Sequence, residues 1–417
     1  MTTVLITGAG SGIGRSTARQ LAADGWRVIA IDREPEALDR LRSAMAGEHR
    51  FECVDLTDPG QLASLRSIAE PIDALINNAG RSDASGMPLV DQPAARQAGL
   101  VALNLDAPAS VVTALGTRLV HGARIVNVSS GAGLHALAHR GWYSPTKAGL
   151  IAQSKALALA HPEWIVTVLC PGYVRTELVE GLIQAGRLDV RRAVARTPMG
   201  RMADPAEMAR MLQFLVSPDA SLLRGQVVSL CGGTSVYAGA QGFEPATESP
   251  MPLDASTSIR IEGDAGGHWA GLVRSDGGDG YRALIDVSAW SDVFGRHRRS
   301  SAAGRSDRGG SERLLARVHE AARAFAAAHD RHASLTLLLP TASPADSSDW
   351  QSGGEAAAAR MLVATLACEL APRALRVNAL ELDAGAEAEA LGPLLEHVAG
   401  AGTQFLTGQT FRVASTG

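Results

Sequence analysis

Cysteine is scarce, with four in 417 residues (Cys53, Cys170, Cys231, Cys368), far apart and without CxxC or Cys/His zinc spacing. That excludes a disulfide scaffold and a structural zinc centre; the four read as reduced core residues of a cytoplasmic protein. Neither sign of charge dominates: 39 Lys and Arg stand against 43 Asp and Glu, a net −4. No global field draws the chain to nucleic acid or anionic lipid. No apolar run approaches the ~18 residues of a membrane span, and MTTVLITG enters an apolar strand with no charged segment ahead of it. The sequence thus predicts neither export nor a membrane span. Metal chemistry is not expected, because no cluster of His, Cys, Asp or Glu has ligand spacing.

What is present is alternation. β-rich runs at 4–7, 27–32, 51–56, 73–80, 124–130, 164–172 and 225–233 are separated by helical patterns. Strands alternating with helices predict an α/β, doubly wound parallel sheet of Rossmann-like type, with ligands at the carboxyl ends of the strands. Residues 241–257 hold Pro245, Pro250 and Pro252 among Gly and Ser without periodicity, which is linker chemistry. The chain accordingly divides into a catalytic domain 1–240, a linker 241–257 and a smaller domain 258–417.

The turn after the first strand, TGAGSGIG, spaces Gly8, Gly12 and Gly14 as G-x3-G-x-G. Glycines let backbone N–H groups approach a pyrophosphate at a helix N-terminus, where the dipole favours anions. Asp32 ends the next strand, where a carboxylate accepts ribose hydroxyls of NAD and repels the 2′-phosphate of NADP. Arg33 beside it leaves NADP as the second reading.

In order and spacing, TGAGSGIG, Asp55 in VDL, NNAG (77–80), Asn104 in LNL, Ser130 in NVSSGAG, Tyr143 and Lys147 in YSPTK, and PGYVRT (171–176) closely resemble the short-chain dehydrogenase/reductase family across residues 1–240. The resemblance implies that Gly8, Ser11, Gly12, Ile13 and Gly14 hold the cofactor phosphates and nearby ribose, that Asp55 and Leu56 flank the adenine, that Asn78, Ala79 and Gly80 lie on the ribose side, and that Pro171, Gly172, Val174 and Thr176 lie at the nicotinamide. It also implies Asn104 in a water-linked proton relay through Lys147.

An alcohol releases hydride readily only as its proton leaves, so the site needs a base. Tyr, with a reference pKa of about 10, is too weak alone. Lys147, at i+4 on the same helical face, favours the phenolate of Tyr143, and Ser130 is placed to hydrogen-bond the substrate oxygen. Alone, a Tyr/Lys pair is an ordinary solvated helix face; the ordered set is not. Ser144 and Pro145 suit an N-cap and first helical position. The loop after Ser130 (His135, Leu137, His139, Trp142), Tyr173 and an apolar lid from Glu177 to about Pro198 should wall an alcohol or ketone substrate. A non-enzymatic rival is a nucleotide-responsive scaffold or regulator.

The remainder repeats the first half in reduced form: RALIDVSAW (282–290) echoes DALINNAG, ASLTLLLPTAS (333–343) echoes ARIVNVSSGAG, and FLTGQTFRVASTG (405–417) echoes LLRGQVVSLCGGT. Counting from Pro372 as the counterpart of Pro162, Gly353 and Ala357 replace the Tyr and Lys. EGDAGGHWAGLV (262–273) has Gly263, Gly266 and Gly267 but is read as having neither the glycine spacing nor a following acidic strand. This half is expected not to catalyse. Its helices near 312–330 and 355–371 are expected to mimic a dimer partner by packing on 94–121 and 147–160, with further homo-oligomerisation left open. The Arg-rich stretch 295–312 reads as a solvated insertion.

Overall fold

A computed structural model of the chain describes residues 2–413 except 84, 88, 138–139, 265, 273–279, 295–309 and 342–349. His139 and most of the Arg-rich stretch therefore lie outside the described residues. By packing, the chain forms two units, Met1–Ala193 with Met202–Cys231, and Val194–Arg201 with Gly232–Gly417. The sequence puts the junction at 241–257; packing draws Gly232 and Val194–Arg201 into the second unit as well. Gly232 N–H donates to the Phe405 carbonyl there at 2.9 Å, and Phe243 N–H to that of Ala195 at 2.8 Å. Most of 241–257 is exposed, and no helix or strand begins before Thr257.

The first unit is a seven-stranded sheet built from β1 (Thr3–Thr7), β2 (Arg27–Asp32), β3 (Arg50–Cys53), β4 (Ile72–Asn77), β5 (Leu119–Val128), β6 (Ile165–Pro171) and β7 (Val227–Leu230). Its order is β3-β2-β1-β4-β5-β6-β7, and every neighbouring pair is parallel. Continuous apolar runs suit strands covered on both faces, and β1 is buried at all five positions. The order reverses between β1 and β4, which opens a crevice at their carboxyl ends.

Two expectations need correction. Cys53 is exposed rather than a core residue, because β3 is the short edge strand and leaves its last side chain uncovered. Ala98–Arg118 is long and apolar enough to cross a bilayer, with mean hydropathy 1.5. Here it is a broken helix whose Ala107, Val111 and Leu115 pack into the core beneath the sheet.

The second unit is a five-stranded parallel sheet of β8 (Thr257–Glu262), β9 (Tyr281–Asp286), β10 (Ala333–Pro340), β11 (Leu375–Leu382) and β12 (Thr410–Val413), in chain order across the sheet. Its core takes Val318, Phe325, Val363 and Ala367 from the helices Gly310–Ala328 and Trp350–Leu370. β8 is a strand that the sequence reading leaves out. After it, Gly263 (φ +82°) and Gly267 (φ +67°) keep the four-residue spacing and left-handed backbone of Gly8 (φ +65°) and Gly12 (φ +50°). A Cβ on Gly263 would lie 2.7 Å from Ser288 Cα, just as one on Gly8 would lie 2.8 Å from Ala79 Cα. Trp269, fully buried, stands two residues on, where the first unit has Gly14.

Candidate active site

The glycine turn sits at the crevice. Gly8 and Gly12 adopt a backbone that L side chains rarely enter, and a Cβ on Gly14 would fall 2.1 Å from the Gly8 carbonyl oxygen. Only glycine lets the turn fold this tightly at the start of the helix Gly12–Ala23, whose first-turn N–H groups have no intrahelical acceptor. Asn78 braces the turn, its side-chain amide donating to the carbonyls of Thr7 (3.1 Å) and Gly8 (3.0 Å). Thr7 Oγ1 accepts from the Asn78 and Ala79 N–H groups, each at 3.1 Å.

A cleft of about 640 Å³ runs from this turn to Tyr143, lined by Gly8, Ser11, Gly12, Ile13, Asp32, Arg33, Asp55, Leu56, Asn78, Ala79, Gly80, Ser130, Lys147, Pro171, Gly172, Val174 and Thr176. Its size is that of a small-molecule or cofactor site, and the turn its side chains would otherwise fill is glycine. A dinucleotide fits these residues. Asp32 Oδ2 is held in place by the Gly10 N–H at 2.8 Å. Arg33 Nε turns to Glu34 at 3.1 Å. Asp55 accepts from Thr57 N–H (2.8 Å) and Oγ1 (2.7 Å), which hold its carboxyl below the usual range.

At the far end stands the helix Tyr143–Ala160. Its N-cap is Trp142, with no side-chain cap bond, which corrects the expected Ser144 cap: Ser144 Oγ accepts from Leu137 N–H at 3.1 Å and ties down the loop instead. Ser130, two residues past β5, caps the turn Gly131–Gly133 and lines the same cleft as Tyr143. Burial pushes the Tyr143 phenol above its usual pKa, while Ser130 and then the Arg140 guanidinium pull it down. Lys147 is 4% exposed, its Nζ donates to the Val128 carbonyl at 2.9 Å, and burial lowers its pKa from 10.5 to about 8. Desolvation opposes both the Tyr143 phenolate and the Lys147 ammonium. Gly80 leaves room here, its missing Cβ lying 3.2 Å from both Lys147 Nζ and Asn104 Oδ1.

Asn104 lies in a π-turn, Ala102–Asp106, a distortion that frees backbone groups and recurs at functional sites. Its side chain pins Arg81, Oδ1 accepting from the Arg81 N–H at 3.0 Å and Nδ2 donating to the Arg81 carbonyl at 2.9 Å. Of the expected substrate walls, Leu178 and Val179 border the cleft. His135 and Leu137 are exposed, Trp142 and Tyr173 half-buried, and none of these four borders it. Cys170, buried behind Ser129 and Ser130, has its thiol pushed up to about 11 by burial, which removes thiolate chemistry from the site. Among the described residues no group of three His, Cys, Asp or Glu could hold a metal.

The family model described as enoyl-(acyl carrier protein) reductase matches residues 8–235. The chain belongs to the short-chain dehydrogenase/reductase family. An uncharacterized short-chain type dehydrogenase/reductase of Sinorhizobium fredii, y4vI, is 34% identical over 297 residues. That match takes in 68% of this chain, more than the 8–235 segment holds, and the chain spans 54% of that protein's length. Among solved structures, actinorhodin polyketide ketoreductase with NADPH has a TM-score of 0.53 and 30% identity, covering 57% of this chain and 98% of that one. The 3-ketoacyl-(acyl-carrier-protein) reductase of Brucella melitensis complexed with NADH has a TM-score of 0.50 and 25% identity, covering 56% and 98%. The protein is thus an NAD(P)-type oxidoreductase of this family. Three residues absent from the candidate set also hold the site together: Thr7 and Arg81 through hydrogen bonds with Asn78 and Asn104, and Glu177 through one from Gly12. Glu177 alone carried a sequence signal, an acidic residue at a helix start, and its carboxylate accepts from Gly12 N–H at 2.9 Å.

Proposed function

We propose that this chain is an NAD-dependent dehydrogenase of secondary alcohols, working in reverse as a carbonyl reductase, with Tyr143 as the acid/base. The observation that carries this reading is that Ser130, Tyr143 and Lys147 line one cleft with the glycine turn, the buried Lys147 one helical turn on from Tyr143. When bound, the nicotinamide supplies the hydride acceptor and a positive charge. Tyr143 takes the alcohol proton. Ser130 hydrogen-bonds the substrate oxygen as its charge changes. Lys147, held by the Val128 carbonyl, presents its ammonium to the phenolate side.

NAD is the favoured cofactor because Asp32 is fixed at the end of β2 with its carboxylate facing the cleft, while Arg33 is drawn to Glu34. NADP is the second reading, supported by the NADPH in the actinorhodin ketoreductase. Comparing kcat/KM with NAD and NADP over a panel of secondary alcohols separates them. Asp32→Ala should erase the NAD advantage. Tyr143→Phe should abolish turnover while cofactor binding persists; retained biological function in that variant favours a scaffold role instead.

The second unit serves, in this proposal, as a non-catalytic repeat that replaces a partner subunit through its two long helices, in a cytoplasmic protein with reduced cysteines. Supporting this are the helices Gly310–Ala328 and Trp350–Leu370, with Gly353 and Ala357 where a catalytic copy needs Tyr and Lys. A chain cut after residue 240 should be insoluble or form a new dimer, read by light scattering. A stable, fully active monomer sinks the idea.

A further inference from the structure

The helix Gly12–Ala23 begins without a cap of its own. Ser11 makes no side-chain bond, and the first turn holds no acidic residue. The missing anion arrives from 165 residues away: Glu177 Oε2 accepts the Gly12 N–H at 2.9 Å, and its other oxygen pairs with Arg15. Glu177 is the first residue of the lid helix Glu177–Gln184, whose own N-cap, Thr176, accepts from Val179 N–H at 3.3 Å. The contact is close on the backbone side too, since a Cβ on Gly12 would lie 3.1 Å from the Thr176 methyl. Burial works against the Glu177 charge, but its own backbone N–H, Arg15 and the Gly12 N–H outweigh it and hold the carboxyl below its usual range. The next two residues, Leu178 and Val179, border the same cleft as Ser130 and Tyr143.

A helix N-terminus with free N–H groups is the seat a phosphate takes. Glu177 holds part of that seat, and it opens the helix Glu177–Gln184, whose next two residues line the cleft. Two anions cannot share one N–H. We propose that Glu177 is a positioning residue that competes with the cofactor phosphates for the N-terminus of the helix Gly12–Ala23, so that seating the dinucleotide detaches the start of the lid helix. This rests on the dinucleotide reading above, yet it is separable from it: Glu177 bonds to Gly12 and Arg15, not to Asp32, Ser130 or Tyr143.

The test uses the full chain and ADP-ribose, NADH and adenosine as probes, with Glu177→Gln, Glu177→Ala and Arg15→Met beside the wild type. Removing the competing charge should tighten ADP-ribose and NADH on the order of fivefold or more, the low end of ordinary coupling between sites. Adenosine, which carries no phosphate, should bind as before. Amide exchange across 177–184 should rise in both Glu177 variants without ligand, to the level the wild type reaches only with ADP-ribose. Arg15→Met keeps the anion and removes its cation, so it should weaken ADP-ribose. The proposal is overturned if Glu177→Gln binds ADP-ribose no tighter than wild type, if Arg15→Met tightens it as much, or if ADP-ribose leaves exchange in 177–184 unchanged. Tight wild-type binding with no Glu177 effect removes this proposal alone; no binding of any dinucleotide removes the functional reading with it.

Discussion

Lys147 shows what a buried cation costs the fold. Its ammonium is buried, and desolvation takes its pKa from 10.5 to about 8. A drop of that size represents roughly 3 kcal/mol of folding stability forgone at pH 7. The sign follows from proton binding: between about pH 8 and 10.5 the unfolded chain still holds the proton that the folded chain has lost, so stability rises with pH across that window. Lys147→Met should therefore abolish turnover yet melt no lower than wild type at pH 7, and its advantage should shrink by pH 10. Thermal melts at the two pH values check this. The same reasoning separates Ser130 from Arg140. Ser130→Ala removes the hydroxyl proposed to hydrogen-bond the substrate oxygen, so kcat should fall on the order of 10²-fold. Arg140→Gln removes a charge that favours the Tyr143 phenolate, together with an exposed hydrogen bond to the Arg187 carbonyl at 3.3 Å. The acidic limb of the pH–rate profile for alcohol oxidation should move to higher pH, with the plateau nearly kept; a lost plateau would mean Arg140 touches substrate.

At the scale of elements, Arg376 holds the second unit as few residues can. Fully buried on β11, it donates to Tyr281 Oη at 2.8 Å and to the carbonyls of Val398 (3.1 Å), Ala399 (2.9 Å), Gly400 (2.8 Å), Thr403 (2.9 Å) and Leu406 (3.2 Å). Val398 to Gly400 close the helix Ala388–Ala399, whose last carbonyls lack partners and carry the negative end of the dipole. One planar cation thus ties β11, a helix end and the following turn. Arg376→Leu would leave several buried carbonyls unsatisfied at a cost of roughly 3 kcal/mol or more, which corresponds to a fall in Tm of about 6–12 °C. A change under 2 °C would show that water reaches those carbonyls. None of this was legible in LRVNALEL, where Arg376 reads as one polar interruption of an apolar strand. Elements whose residues carry their own reason were legible: the seven apolar runs of the first sheet, the glycine turn, and Tyr143 with Lys147 one helical turn apart. What escaped depends on tertiary partners. Cys53 is exposed because β3 is an edge, Ser144 is not a cap because Leu137 claims its hydroxyl, and Asn78 braces the turn through carbonyls 70 and 71 residues away.

For the whole chain, the two sheets differ in the feature that makes a nucleotide crevice. β8 to β12 run in chain order, and among the described residues no strand lies on the far side of β8 as β2 and β3 lie beyond β1. The strand order of this sheet therefore does not reverse among the described residues, and a reversal is what opens a switch-point crevice. The turn at Gly263 and Gly267 shares the backbone of the one at Gly8 and Gly12 but has Trp269 where that one has its third glycine. Trp269 stands there with its ring 5.4 Å from that of Trp290, which in turn stacks on His268 at 5.8 Å. The space beside the turn is filled by side chains, and no acidic strand follows to read a ribose. The chain should bind one dinucleotide, not two, by titration calorimetry of NADH on the intact protein. Gly14→Trp, which puts into the first turn what the second already has, should abolish that single event, because even a Cβ at residue 14 meets the Gly8 carbonyl at 2.1 Å. Trp269→Gly should leave the stoichiometry at one and lower stability, since opening the turn supplies neither strands beyond β8 nor an acidic partner. A second binding event in that variant would mean that the tryptophan alone closes the second site and that strand order does not decide where this fold binds nucleotide.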